Sequence, residues 1–327
     1  MSEFLSLAGQ NLLSPIILSF VLGVFAALAR SDLSIPEAVA KGMSIYLLFA
    51  IGFKGGASVA SYGLDLRLGL SLLAGVVLSA LLPLIAFALL RVMTNISRLD
   101  AAAVAAHYGS ISIVTFVAAT SVLEGRGIES EGYMVAVAAA MEAPAILSAL
   151  WLISRGGGEQ SKGMDSALMR EIMLNGSIVL LVGAFAIGWA TGEQGLKEIS
   201  SFIVNPFKGV LCLFLLDMGL VAGRGLRGGG GVLTRGVLAF GVLMPLVGSV
   251  FGLAAGMMLG LSAGGVALMM VLSSSASYIA VPAAMRVAVP EANPSLYLTL
   301  SLGVTFPFNL TIGIPLYVGI AMAVTGG

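Results

Sequence analysis

Apolar runs separated by short polar segments occupy the chain from end to end. A helix needs about 20 apolar residues to cross a bilayer, and runs of that length recur between turn signals along the whole sequence. We predict ten transmembrane helices, at residues 12–30, 36–56, 67–93, 99–123, 130–154, 172–191, 199–223, 232–260, 263–288 and 295–324. The pattern therefore predicts an all-α polytopic membrane protein.

One hydrophilic connector, residues 155–171, divides the predicted helices into two sets of five. Because five is odd, the second set must enter the membrane with the opposite orientation. We predict a first five-helix repeat at 1–154 and a second, inverted repeat at 172–327, which is a typical construction of secondary transporters. Two pairs of segments are weakly similar between the halves, 46–59 with 211–226 and 108–116 with 273–281.

Composition supports a membrane protein. Hydrophobic residues make up 58% of the chain and charged residues 10%, whereas soluble domains carry about 25% charged residues. The formal net charge is zero, so electrostatics do not favour nucleic acid as a partner. The single Cys212 excludes a disulfide within the chain and a metal site built from several cysteines.

Basic residues in the loops predict the orientation, because they are enriched on the cytoplasmic side. Three lie on one side of the predicted membrane: Arg67, Arg126 and Lys197. Ten lie on the other side: Arg30, Arg91, Arg98, Arg155, Lys162, Arg170, Arg224, Arg227, Arg235 and Arg286. We therefore predict a multi-pass protein of the inner (plasma) membrane with both termini outside.

The fourth and ninth predicted helices each contain a polar stretch at midlength, GSIS at 109–112 and SSSAS at 273–277. These stretches predict helix breaks, which are tolerated at membrane depth only where protein covers them or where they line a cavity. Each break frees amides at the start of a half-helix, and serine hydroxyls add donors, so a shared anion site is predicted. The alternative is that the serines only allow close helix packing.

Two carboxylates, Glu142 and Asp217, lie within apolar helices, where an ionised group costs about 2.5 kcal/mol or more. Glu142 precedes Pro144, which would free a backbone carbonyl, so Glu142 is either a cation ligand or a member of a structural ion pair. Asp217 is a weaker candidate for a cation site, because Lys54 is a candidate ion-pair partner for it.

Three further residues are candidates for cation binding or coupling. Asn309 and Thr311 in the tenth predicted helix carry oxygens that suit cation coordination. His107, the single histidine, precedes the first serine stretch and is a candidate proton relay or pH sensor. Its alternative role is a hydrogen bond to a neighbouring helix.

An enzyme is disfavoured. His107 lies only three residues before Ser110, whereas the nucleophile and base of an intramembrane protease normally come from different helices. The HExxH and paired GxGD motifs of metallo- and aspartyl proteases are missing from the sequence. A passive anion channel is an alternative function, because broken helices also line pores.

The most distinctive motif is PAAMRVAVPEANPSLYL at 282–298, and it is accompanied by IGFKGG at 51–56, GSISIVT at 109–115 and MEAPA at 141–145. With these motifs the chain resembles the sodium-dependent bicarbonate transporter superfamily over its whole length. The resemblance implies a homotrimer that imports bicarbonate with sodium by an elevator-like motion. It also implies regulation by a PII-like cytoplasmic protein, and no cofactor other than the sodium ion.

The resemblance places bicarbonate between the two breaks, at Ser110, Ser112, Thr115, Ser274, Ser275 and Ser277. Ser273 and Tyr278 complete the predicted substrate site. Tyr278 stands where the family carries an aspartate, so an acidic group is missing there. Bicarbonate is therefore the first predicted substrate, and another small anion such as a short carboxylate, carried with sodium or protons, is the alternative.

Overall fold

The computed structural model describes residues 13–62, 65–154, 174, 176–228, 233–278, 281–282, 285, 289 and 291–326. The connector predicted at 155–171 lies outside these residues, as do Arg286 and Pro290 of the distinctive motif. Regular secondary structure within the described part is helical: α1 Pro15–Leu28, α2 Glu37–Tyr62, α3 Leu66–Met93, α4 Arg98–His107, α5 Ile113–Gly125, α6 Met134–Ala140, α7 Glu142–Ser154, α8 Gly176–Ile203, α9 Phe207–Gly228, α10 Arg235–Met258, α11 Ala263–Ser274 and α12 Pro294–Thr325.

Seven helical stretches among the described residues are long and apolar enough to cross a membrane: Glu37–Ser61, Leu66–Met93, Met134–Ile153, Val179–Ile203, Phe207–Gly228, Arg235–Met258 and Pro294–Thr325. Shorter apolar helices are Pro15–Leu28, Ile113–Gly125 and Ala263–Ser274. The prediction of an all-helical polytopic membrane protein is confirmed at this level. The number of ten spans and their inverted repetition stay predictions.

Polar residues fix where several helices begin. A helix start leaves backbone amides without intrahelical partners, and a Ser, Thr, Asp or Asn side chain can accept from one of them. Side chains in this position accept from a first-turn amide at the starts of α1, α3, α4, α5, α10, α11 and α12: Ser14, Asp65, Ser97, Ser112, Thr234, Ser262 and Asn293.

Glycines pack α1 against α9 and α2 against α8, the most extensive helix pairings in the protein. A side chain on Gly23 would collide with the backbone of Leu216, and one on Gly219 would collide with that of Phe20. Gly56 of α2 meets the Phe185 carbonyl of α8 in the same way. Within each pair the two helices therefore contact each other through their backbones. We call the four helices α1, α2, α8 and α9 the glycine-packed group.

The end predicted for the second helix, at residue 56, is wrong because Gly55 and Gly56 do not terminate it. The helix continues to Tyr62, and both glycines serve close packing instead. Gly55 lies against Val135 and Gly56 against α8. By contrast, Gly192 marks a real interruption in α8, where its positive φ of 59° kinks the helix.

The remaining helices, α3 to α7 and α10 to α12, form the second group, which we call the site group. Helix α3 packs on α4, α7 and α10, while α11 packs between α10 and α12. Pro83 and Pro245 lie inside α3 and α10. Because proline lacks an amide hydrogen, each leaves the carbonyl four residues earlier without its helical donor.

We expect Gly56→Ala to lower the unfolding temperature of the detergent-solubilised protein by several degrees, because the added methyl group separates α2 from α8. Gly42→Ala is the matched control on the same helix, since a side chain there meets open space. It should be neutral or slightly stabilising because alanine favours helix over glycine. Thermal unfolding followed by size-exclusion chromatography measures both variants, and equal unfolding temperatures would contradict the packing role of Gly56.

Candidate substrate site

The first candidate segment lies between α4 and α5. Helix α4 ends at His107 and α5 begins at Ile113, so residues 108–112 form a nonhelical connection. Ser112 caps α5, since its Oγ accepts hydrogen bonds from Thr115 N at 3.2 Å and from Thr115 Oγ1 at 2.9 Å. The serine pattern of the sequence thus ends one helix and starts the next.

The second segment, residues 275–278, follows the end of α11 at Ser274 and meets the first directly. Ser277 N donates to the His107 carbonyl at 2.7 Å. Ser112 N donates to Ser275 Oγ at 2.9 Å. The structure therefore brings together the two serine-rich stretches that lie more than 150 residues apart in the chain, as the 163-residue separation of Ser112 and Ser275 shows.

The first segment and the end of α11 pack against the proline-containing helices. A Cβ on Gly109 would collide with the Pro83 ring and the Ser79 carbonyl of α3. On the other side, Gly248 of α10 leaves room for the Ser273 carbonyl. Close approach of this kind requires glycine, because any side chain would push the segment away from its supporting helix.

Helix α12 braces both segments through two π-helical turns, Ser301–Thr305 and Asn309–Gly313. Thr305 Oγ1 donates to the Gly241 carbonyl, which Pro245 leaves without its helical donor, at 2.7 Å. Since this bond uses the threonine proton, the Tyr108 hydroxyl is the donor in its 2.6 Å contact with Thr305. Such π turns often occur at functional sites.

Asn309 holds the second segment. Its Nδ2 donates to the Ser274 carbonyl at 2.8 Å, and its Oδ1 accepts from the Tyr317 hydroxyl at 3.1 Å. Both ends of the buried amide therefore have partners within the protein. The Asn309 side chain thus orders the backbone next to the second segment, and its role as a coupling residue stays a prediction.

Several buried polar atoms in or next to the two segments lack a hydrogen-bond partner: His107 Nε2, Ser110 Oγ, Ser273 Oγ and the Tyr278 hydroxyl. The Tyr278 hydroxyl lies close to Ser112 without completing a hydrogen bond. A buried polar atom without a partner costs about 1–3 kcal/mol. Their concentration around the two segments is what a binding site for a polar ligand would show.

His107 and Tyr278 are held by aromatic contacts. The His107 ring stacks on Tyr297 of α12 at a centroid distance of 4.6 Å, and its Nδ1 contacts the Ala103 carbonyl at 2.7 Å. Because a carbonyl only accepts, Nδ1 carries the proton in this contact. The Tyr278 ring meets Phe306 edge to face at 5.4 Å, so the tyrosine that departs from the family pattern is also part of the core.

Glu142 lies in the first turn of α7, is buried, and has an Oε2 atom without a partner. Ser79 of α3 joins this turn by donating to the Met141 carbonyl at 2.6 Å and accepting from Ala145 N at 3.2 Å. The backbone of the same serine supports Gly109. Glu142 is thus connected through one residue to the first nonhelical segment.

Two predicted coupling residues are placed differently. Thr311 is half-buried and donates to the Pro307 carbonyl of its own helix at 2.7 Å. Asp217 lies buried on α9, in the glycine-packed group. The ion pair predicted between Asp217 and Lys54 is wrong, since Lys54 Nζ lies 2.7 Å from Glu124 Oε1 on α5.

The sequence prediction missed the residues that brace the site: Ser79, Tyr108, Thr305 and Tyr317. Each is a hydroxyl residue within an apolar stretch, which was the available signal. Their roles depend on partners up to 197 residues away, as for Tyr108 and Thr305. Spacing along the chain could not have identified those partners.

Comparison with known proteins adds the family. The model of the Na+-dependent bicarbonate transporter superfamily matches residues 15–322, nearly the whole chain. The chain belongs to this superfamily. The match covers both nonhelical segments and the helices that support them, so the site described above lies within the family's common region. The comparison with curated proteins found no match.

We expect Asn309→Leu to destabilise the protein by about 2–3 kcal/mol, because the Ser274 carbonyl and the Tyr317 hydroxyl both lose their buried partner. Thr311→Val is the control, since Thr311 bonds only within its own helix among the hydrogen bonds described. Thermal unfolding in detergent compares the two. A loss in Thr311→Val as large as that in Asn309→Leu would contradict the bracing role.

Proposed function

We propose that this member of the Na+-dependent bicarbonate transporter superfamily imports bicarbonate together with sodium. The observation that carries the proposal is the set of buried polar atoms without partners where residues 108–112 and 275–278 meet. Hydroxyl donors from Ser110, Ser273 and Tyr278 suit a small oxyanion without adding charge. The first turn of α5 adds the favourable end of a helix dipole.

Glu142 is the proposed coupling residue for sodium. Its Oε2 lacks a partner, and Pro144 removes the amide that would otherwise bind the Ala140 carbonyl. A carboxylate and a free carbonyl are both hard oxygen ligands of the type that alkali and alkaline-earth cations take. A buried carboxylate is also expensive without a cation nearby, which favours an ion at this turn.

The helix pairing supports two inverted five-helix repeats with ten spans. In such a repeat α1 corresponds to α8, and α2 corresponds to α9. The contact of α1 with α9 and the contact of α2 with α8 are then equivalent by the symmetry of the repeat. We propose that residues 108–112 and 275–278 are breaks within the fourth and ninth spans, as inverted-repeat transporters place them.

Transport requires the site to be exposed to the two sides of the membrane in turn. We propose that the site group carries the anion and moves against the glycine-packed group, which is an elevator-like mechanism. The orientation with both termini outside follows from the loop charges. A homotrimer and a PII-like cytoplasmic regulator are proposed from the family resemblance.

A different small anion is the second candidate, and Tyr278 favours it. Its hydroxyl stands where the family resemblance expects a carboxylate, and its ring is fixed against Phe306. A neutral hydroxyl in place of a carboxylate side chain changes both the number of cations that the site can bind and the shape of the site. A short carboxylate would suit the same donors, and proton coupling would then involve Glu142 and His107.

Uptake of radiolabelled inorganic carbon into proteoliposomes tests the main proposal, at alkaline pH where bicarbonate predominates. An inward sodium gradient is compared with a matched potassium gradient. Sodium-dependent accumulation is the expected result. Folded protein that accumulates no inorganic carbon would refute bicarbonate import, and uptake of acetate or formate would then support the second candidate.

Ser110→Ala combined with Ser273→Ala should raise KM for the anion by roughly ten-fold or more, because each hydroxyl lost is a hydrogen bond to a charged ligand. The unfolding temperature should not fall, since neither hydroxyl has a partner within the protein and each removal relieves the cost of a buried, unpartnered group. Ser121→Ala removes another buried, unpartnered hydroxyl from α5 and serves as control. An unchanged KM in the double variant would exclude these serines from the site.

Glu142→Gln should abolish the dependence of uptake on sodium, because the neutral amide removes the charge that attracts the cation. The measurement is initial uptake rate against sodium concentration, with potassium replacing sodium at constant ionic strength. If the sodium response of Glu142→Gln matches that of the parent protein, Glu142 has only a structural role.

A further inference from the structure

An ion pair connects the two helix groups at a distance from the substrate site. Lys54 Nζ of α2 lies 2.7 Å from Glu124 Oε1 of α5, with side chains 28% and 42% exposed. The same ammonium group lies 5.3 Å from the centre of the Phe207 ring of α9. Lys54 therefore has two contacts, one within its own group and one across to the site group.

The lysine is on a rigid support. Gly52 and Gly56, on either side of it along α2, both meet the backbone of α8 without room for a side chain. The backbone at Lys54 therefore cannot shift without disturbing the tightest packing of the glycine-packed group. Its position is set by that group and not by the glutamate.

The glutamate is rigidly connected to the substrate site. Helix α5 starts at Ile113, directly after the first nonhelical segment, and Glu124 is near its end. Eleven residue steps along an α-helix correspond to about 17 Å. Any displacement of the segment that carries Ser110 and Ser112 is therefore transmitted along α5 to Glu124.

Space exists around the pair. A cavity of about 490 Å³ lies between α2 and the α5–α6 region, and both charged residues line it together with Phe207, Gly132 and Val135. Beside this cavity α2 and the α5–α6 region are in contact, since Gly55 lies against Val135, and the ion pair is a second link between the two groups. A partly exposed pair of this kind contributes little energy, enough to shift an equilibrium by about two- to five-fold.

We propose that the Lys54–Glu124 pair is a reversible lock that holds the site group in the arrangement seen in this structure. The inference rests on the proposed function, because alternating access requires one helix group to move against the other. Movement of α5 separates Glu124 from Lys54 and opens the pair. Its low strength suits a contact that must form and break in every transport cycle.

Distances between two spin labels in lipid nanodiscs test the lock. Ser61→Cys and Gly125→Cys carry the labels in a Cys212→Ala background, because Ser61 is exposed and a side chain at Gly125 meets open space. We expect two distance populations, one of them that of this structure. Glu124→Gln should lower the ratio of this population to the other by about two- to five-fold.

Exchange of the charges, Lys54→Glu with Glu124→Lys, should restore most of the lost population. Lys197→Gln is the matched control, since Lys197 forms its 2.8 Å ion pair with Glu193 within α8 and should leave the populations unchanged. The lock is refuted if the labelled parent shows a single distance. It is also refuted if Glu124→Gln changes nothing, or if the charge exchange restores nothing.

The uptake assay separates the two proposals. Labelled parent protein that shows both distance populations but no sodium-dependent uptake of inorganic carbon refutes the proposed function and leaves the lock intact. Uptake with a population ratio that is insensitive to Lys54 and Glu124 refutes the lock alone.

Discussion

Backbone groups buried away from water need hydrogen-bond partners, and this constraint determines the centre of the molecule. Two helices stop inside an apolar bundle, at His107 and at Ser274, and the amides and carbonyls released there cannot be solvated. The structure satisfies several of them across the two segments, through Ser277 N to the His107 carbonyl and Ser112 N to Ser275 Oγ. Each segment therefore provides hydrogen-bond partners for backbone groups in or next to the other.

Around the two segments, side chains from the π turns of α12 donate to further backbone carbonyls that lack a helical donor. Pro245 leaves the Gly241 carbonyl of α10 without a helical donor, and Thr305 of α12 supplies one. Asn309, four residues later, does the same for the Ser274 carbonyl. With the backbone satisfied in this way, the serine hydroxyls that remain without partners are available to a ligand. The hydrogen bonds thus distinguish the residues that build the site from those that are proposed to bind the ligand.

The contrast between the two helix groups has a physical basis. Glycines such as Gly23 and Gly56 allow close backbone contact between the helices of one group. The site group has prolines, polar residues and nonhelical backbone. Between the groups, a cavity and a weak ion pair at Lys54 and Glu124 lie beside the close contact of Gly55 with Val135. Packing is therefore tight within the first group, and the contact between the groups combines close packing with an open cavity.

The sequence by itself determined the membrane class, the apolar helices and the nonhelical backbone at the two serine stretches, because hydropathy and helix capping act over a few neighbouring residues. It also placed Glu142 within an apolar helix. Only the tertiary structure decided which polar groups are partners. Lys54 forms its ion pair with Glu124 and not with Asp217, and Thr311 donates a hydrogen bond within its own helix. Such pairing in a helix bundle depends on which helix faces are in contact. That choice is made by close backbone contact and by the demand of buried groups for partners, and neither is visible in the local pattern.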